Sequence, residues 1–287
     1  MSAELPPDEI LAILKKDAEF VASLTVVLFW VLRDAEGRIR ARNGSAFFLD
    51  AGEGPFAVTA NHVIEGWRHD RRERRASPLH MGSEYHLDLE NRNAIIASHG
   101  DIDIATFRVS EEEIRATGKT VYRGYQRTWP PIPPMEGRGI FYAGFPGVVT
   151  IPAAPDEYSF GIATGGGIAN SISETDVSNL IERDRLVSTL GEGLPPENFD
   201  FRGMSGGPML SVINYQGERT SALAGVLYEG PNPAPDPEEA IAGLEIIRAR
   251  RAHFIRPDGT LDMERWQSVA PRQAGNRQRQ RTKLDSL

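Results

Sequence analysis

The stretch Phe201-Arg202-Gly203-Met204-Ser205-Gly206-Gly207-Pro208 sets a serine inside a glycine-rich turn that leads into a β-type segment. Glycines let backbone N–H groups converge there without interference from a Cβ. Taken alone, the turn reads as well for an inert serine in a β-turn. Two upstream segments change that reading. In Ala57-Val58-Thr59-Ala60-Asn61-His62-Val63-Ile64 a β-type run ends at a histidine, placing His62 where a strand gives way to a turn. In Gly100-Asp101-Ile102-Asp103-Ile104-Ala105-Thr106-Phe107 an aspartate opens an apolar strand. Asp101 and Asp103 stand two apart and fall on the same side of such a strand.

Around these segments lie short runs rich in Val, Ile, Phe and Thr, punctuated by Gly, Asp and Asn: 24–33, 45–50, 55–60, 93–98 and 103–109, then 138–144, 158–163, 166–172, 185–190, 207–214 and 221–228. That spacing predicts antiparallel β structure in two sets. Between the sets, Thr128-Trp129-Pro130-Pro131-Ile132-Pro133-Pro134 cannot pair as a central strand and reads as a linker. Asp8 is a plausible N-cap for an amphipathic helix over 8–20, and Ala240, Ile241, Leu244 and Ile247 fall at helical period in 238–251.

Serine, histidine and aspartate together suit hydrolysis through a covalent acyl intermediate. A serine hydroxyl is a weak nucleophile at neutral pH until an adjacent imidazole takes its proton. The imidazole in turn needs a carboxylate to fix its tautomer and stabilise the imidazolium. The oxyanion that develops needs donors already in place, here the N–H groups of Gly203 and Ser205.

These segments resemble the trypsin/chymotrypsin-like serine peptidases. Thr59-Ala60-Asn61-His62 resembles the family's Thr-Ala-Ala-His, Asp103-Ile104-Ala105 its Asp-(Leu/Ile)-Ala strand, and Gly203 to Pro208 its Gly-Asp/Asn-Ser-Gly-Gly-Pro. The order His, Asp, Ser is the chymotrypsin order, with gaps of 41 and 102 residues. The resemblance covers roughly 22–232 and is nearest to cysteine-free bacterial trypsin-like domains, the Deg-type proteases among them, which share a segment like Gly144-Phe145-Pro146-Gly147. It implies an all-β, double six-stranded β-barrel fold with short terminal helices, and a serine endopeptidase with His62, Asp103 and Ser205 as the triad. Asp103 is preferred to Asp101 because it directly precedes the Ile-Ala pair. The implied boundaries are 1–21 for a helical extension, 22–127 for the first barrel, 128–137 for the linker, 138–232 for the second barrel, 233–266 for a C-terminal helical segment and 267–287 for a basic disordered tail.

By the family's count the specificity pocket has Phe199 at its floor with Asp200 one place off, Arg202 nearby, and Tyr228, Glu229 and Gly230 in the opposite wall. A phenylalanine floor favours cleavage after small or medium apolar residues; a one-residue shift would bring in Asp200 and favour Lys or Arg. Met204 stands where secreted members carry an aspartate that pairs with a newly released N-terminus, so no N-terminal cleavage is expected to be needed. A catalytically idle domain of the same fold, used to bind proteins or peptides, is the other class the residues admit, and esterase action would use the same site.

Composition narrows the setting. With 287 residues, 40% of them hydrophobic, the chain can bury a sizeable core. There are no cysteines, which excludes disulfides and thiolate metal sites. Histidines 69, 80, 86, 99 and 253 lack metal-ligand spacing and are expected at the surface. The net charge of −8 argues against nucleic-acid binding by the surface as a whole. The five Arg/Lys and one Asp of 271–287 read as a solubilising tail, and the five arginines of 68–75 as a solvated loop. Gly165-Gly166-Gly167 lacks the ending of a phosphate loop and is expected to mark a bulge or kink. The N-terminus lacks a secretory pattern, and no apolar run approaches the roughly 20 residues that span a bilayer. The expectation is a cytoplasmic protein without cofactor or metal, acting on a protein or peptide substrate, with no room for a PDZ domain, no membrane or nucleic-acid partner, and any regulatory protein partner reaching it through the terminal helices.

Overall fold

The computed structural model describes residues 6–33, 39–74, 76–82, 85–89, 93–124, 128–154, 157–181, 187–188, 201–230 and 245–270. It is mostly β. Helix α1 (Pro7–Leu24) precedes a first sheet of β1 (Thr25–Arg33), β2 (Ile39–Asp50), β3 (Pro55–Thr59), β4 (Leu79–Met81), β5 (Tyr85–Leu87), β6 (Ile95–His99), β7 (Ile104–Arg108) and β8 (Val121–Tyr122). Its order is β5-β4-β1-β2-β3-β7-β6, with β8 parallel on β2. Helices α2 (Asn61–Arg74) and α3 (Glu111–Ala116) lie within this half.

The second half contains β9 (Gly139–Gly144), the hairpin β10 (Thr150–Ala154) and β11 (Glu157–Phe160), then β12 (Ala163–Ile172), β13 (Asp176–Ile181), β14 (Val187–Ser188), β15 (Pro208–Tyr215), β16 (Glu218–Glu229) and β17 (Glu245–Arg251), followed by α4 (Met263–Val269). Strands β13-β17-β16-β15-β9-β12 pair in that order, and β12 also pairs with β13, closing a six-stranded barrel. Residues 128–138 form no helix or strand.

Strand side chains alternate between faces, and in β1, β3, β7 and β9 both faces are buried, which is why these strands read as nearly continuous apolar runs. In β2, Phe47 and Leu49 face one core while Ala46 and Phe48 face another. The core shared by both halves joins Phe47, Leu49, Phe56, Val58 and Ile104 to Phe141, Leu210, Leu223, Val226 and Phe254. Truncating one such phenylalanine to alanine costs about 3–5 kcal/mol.

Several expectations are corrected. His62 does not sit in a turn: Asn61–Arg74 is helical, and the arginines of 68–74 lie on that helix rather than in a loop. Val63, Ile64 and Trp67 bury one side of it, and the fully buried Asp70 is tied to Trp30 Nε1 at 2.9 Å and Arg42 at 3.0 Å. Residues 245–251 form β17, not the end of a helix, because Ile247 and Ala249 alternate inward between β13 and β16; 238–244 lie outside the described residues. Residues 267–269 belong to α4 rather than to the tail, whose remainder from 271 is outside the described residues. The Gly165–Gly167 run is in unbroken register with Tyr142, Phe141 and Ile140, and the irregularity falls between Ala169 and Ser171 instead. These glycines serve close packing: a Cβ on Gly165 would lie 2.7 Å from the Tyr142 ring. His80, His99 and His253 are half-buried, not surface residues; His80 stacks on Phe29 at 4.6 Å.

Candidate active site

The end of β3 and the start of α2 deliver His62. The first N–H groups of a helix have no partner within it. Here the Asp103 carboxylate meets that need, accepting from the His62 backbone N–H at 2.9 Å through Oδ1, while Oδ2 lies 2.8 Å from His62 Nδ1. One carboxylate thus fixes both the backbone and the ring of the same residue, and leaves Nε2 as the free face of the imidazole. The His62 side chain is 49% exposed and that of Asp103 17%. Asp103 lies in the turn before β7 rather than inside a strand, at φ +58°, a left-handed conformation that aspartate tolerates better than most residues. Its N–H donates to His99 O at 2.8 Å, closing the turn. Asp101, the competing carboxylate, is exposed and makes no hydrogen bond to His62.

The serine turn is held from both halves. Within its own half, Gly206 N–H donates to Leu227 O at 2.7 Å and Leu227 N–H to Gly207 O at 2.8 Å. Across the interface, the N–H of Ser45 on β2 donates to Ser205 O at 2.8 Å. The Ser45 hydroxyl donates to Gly203 O at 2.8 Å and accepts from Phe145 N–H at 2.9 Å. Asn43 Nδ2 donates to Phe145 O at 2.5 Å, and Gly147 N–H to Arg202 O at 2.7 Å. Gly206, at φ +93°, leaves no room for a side chain: its Cβ would lie 1.9 Å from Ser45 O and 2.3 Å from Thr59 Oγ1. The same Cβ would be 3.0 Å from Ala60 N, so the turn packs against the strand end that delivers His62. Met204 is buried, its Cα packed where a Cβ on Gly144 would go. Among the described residues, the N–H groups of Gly203 and Ser205 have no acceptor, and the Ser205 hydroxyl makes no hydrogen bond to His62.

Of the pocket residues read from the sequence, Phe199 and Asp200 lie outside the described residues. Arg202 is exposed. Gly230 packs on Phe201, where its Cβ would come within 2.8 Å of Phe201 Cβ. Glu229 is ion-paired with Arg248 at 2.9 Å. The Tyr228 ring covers the Arg250 guanidinium at 4.6 Å, and burial, reinforced by the Asp176 carboxylate, pushes its hydroxyl pKa up. Sequence reading missed Asn43 and Ser45. The available signal was a small polar pair beside the apolar run 46–49. Among the described residues no group of three or more His, Asp or Glu side chains could hold a metal ion, and no helix is long and apolar enough to cross a membrane.

No family model matches this sequence, and no curated protein is similar to it in sequence. Among solved structures, the chain is similar to the active form of the Rv3671c protease from M. tuberculosis, at 15% identity and a TM-score of 0.39, over 87% of this chain and 84% of that one.

Proposed function

We propose that the chain is a serine endopeptidase of chymotrypsin-like, two-barrel architecture. The observation that supports this is the packing of the Gly-Met-Ser-Gly-Gly turn, at Gly206, against the Thr59–Ala60 strand end that delivers the doubly hydrogen-bonded His62, with the Gly203 and Ser205 amides lacking an acceptor among the described residues. In this reading His62 Nε2 takes the Ser205 proton as Oγ attacks the scissile carbonyl. Asp103 holds the ring and stabilises the imidazolium, and the two amides receive the oxyanion. His62 then protonates the leaving amine, and water, deprotonated by the same ring, releases the acyl group. Hydrogen bonds from Ser45 and the burial of Met204 against Gly144 hold the oxyanion turn, so the site needs no newly cleaved N-terminus to order it. Tyr228 to Gly230 form one wall of the specificity pocket, with Phe199 or Asp200 at its floor.

A peptide library offered to the wild type and to Ser205→Ala tests the reading. Cleavage after small or medium apolar residues that vanishes in the variant supports it; a preference for Lys or Arg would put Asp200 at the floor. No cleavage by either folded protein would favour a domain that only binds.

A further inference from the structure

Arg250, on β17 of the closed barrel, is only 1% exposed. An isolated buried guanidinium is costly, so its contacts show what it is kept for. Its charge is balanced by Asp176 on β13, 2.7 Å from Nη1. Its faces are covered by Tyr228 at 4.6 Å and Trp266 at 5.0 Å, both favourable cation–π distances. The remaining donors leave the barrel. Nε donates to Ile102 O at 2.7 Å and Nη2 to Asp101 O at 3.4 Å. Those carbonyls belong to the two residues immediately before Asp103, in a turn closed from within by the Asp103 N–H to His99 O at 2.8 Å and the Ile102 N–H to His99 Nδ1 at 3.3 Å.

The geometry points to Arg250 as a positioning residue for Asp103. Its planar fork reaches from the half that carries Ser205 into the half that carries His62, and holds the backbone that aims the Asp103 carboxylate. The Asp103 backbone is in a left-handed conformation, which persists only when its surroundings enforce it. Asp176, Tyr228 and Trp266 fix the guanidinium so that its two carbonyl contacts are directional rather than merely electrostatic. This role rests on the peptidase reading for its catalytic consequence, but the His62–Asp103 hydrogen bond can be observed without turnover.

The test uses the full chain, with Arg250→Met, which removes the fork, and Arg250→Lys, which keeps the charge but can serve only one direction. Two readouts are taken: the His62 Nδ1 proton by ¹⁵N-edited NMR, and kcat and KM on a peptide substrate. The wild type is expected to show a slowly exchanging Nδ1 proton. In Arg250→Met that signal should be lost and kcat should fall about 10- to 100-fold, the scale of a small misplacement of a reacting group, with KM changed by about twofold or less. Arg250→Lys should fall between. Both variants keeping the Nδ1 signal and wild-type kcat, with only a lowered Tm, would reduce Arg250 to a structural ion pair. Where Arg250→Met fails to give a dispersed spectrum, Arg250→Lys decides by the same two readouts. If the wild type hydrolyses nothing and the Nδ1 signal still depends on Arg250, the positioning role stands and the peptidase reading falls.

Discussion

The His62–Asp103 pair and the Ser205 turn are fixed in opposite ways. The pair lies wholly in the first half, on α2 and in the turn before β7, and is held by one carboxylate spanning a helix start and an imidazole. The turn belongs to the closed barrel, yet much of its bracing comes from Ser45 on β2 of the first sheet, with Asn43 holding the neighbouring Phe145 carbonyl. Arg250 reverses the direction, reaching from the barrel to the turn before Asp103. Each half therefore holds the other half's candidate-site segment. A site split between two sheets is then only as well aligned as these few cross-contacts, and the apolar core between the halves supplies affinity without such direction.

The largest expected effect tests whether the two regions act as one unit. Ser205→Ala, His62→Ala and Asp103→Asn should each lower hydrolysis on the order of 10⁴-fold while circular dichroism stays unchanged, and the double variants should lose little more. Asp101→Asn should stay near wild type; the reverse ranking of the two aspartates would break the assignment.

Next in size is Gly206→Ala. A methyl group there meets Ser45 O at 1.9 Å and must adopt φ +93°, so either the turn or β2 has to move. Thermal or urea unfolding should show a loss of about 3 kcal/mol or more. A change within experimental error would mean that the two halves do not pack so closely.

Ser45→Ala separates bracing from chemistry. It strands the buried Phe145 N–H and Gly203 O, which should cost about 1–3 kcal/mol of stability. Loosening the Gly203 amide should lower kcat about 10- to 100-fold, less than loss of the nucleophile. Unchanged kcat beside lowered stability would show that the turn orders itself.

The smallest effect lies outside the site. Burial first, then the charge of His86, lowers the His80 pKa to about 4, and burial followed by Arg251 and Arg265 lowers that of His253 to about 4. In the unfolded chain both titrate near 6.5. The unfolded state therefore takes up protons first, so their contribution is intact above pH 6.5 and is lost as the pH falls toward 4. Tm should be level above that window and decline through it, and His80→Gln with His253→Gln should flatten the decline. The carboxylates Asp258 and Asp262, whose pKa values are lowered, act at lower pH still.

What the sequence revealed follows from range. Strands with two buried faces appear as unbroken apolar runs, so most of the β segments were legible, and the three candidate site residues were singled out by their immediate neighbours. Helix α2 was not, because its apolar side has only Val63, Ile64 and Trp67, and nine of its other residues are charged or histidine. Strand β17 was misread because Leu244 and Ile247 happen to fit a helical period, and pairing with β13 and β16 overrides it. Ser45, Asn43 and Arg250 act on partners 100 or more residues away, which local pattern cannot show.

The most direct measurement is labelling of the intact full-length chain with a fluorophosphonate, with mass confirmed and the modified peptide sequenced by mass spectrometry. The account predicts one adduct, on Ser205, formed without N-terminal trimming and abolished by His62→Ala. A folded chain that takes up no label, or takes it up on another residue, would contradict it.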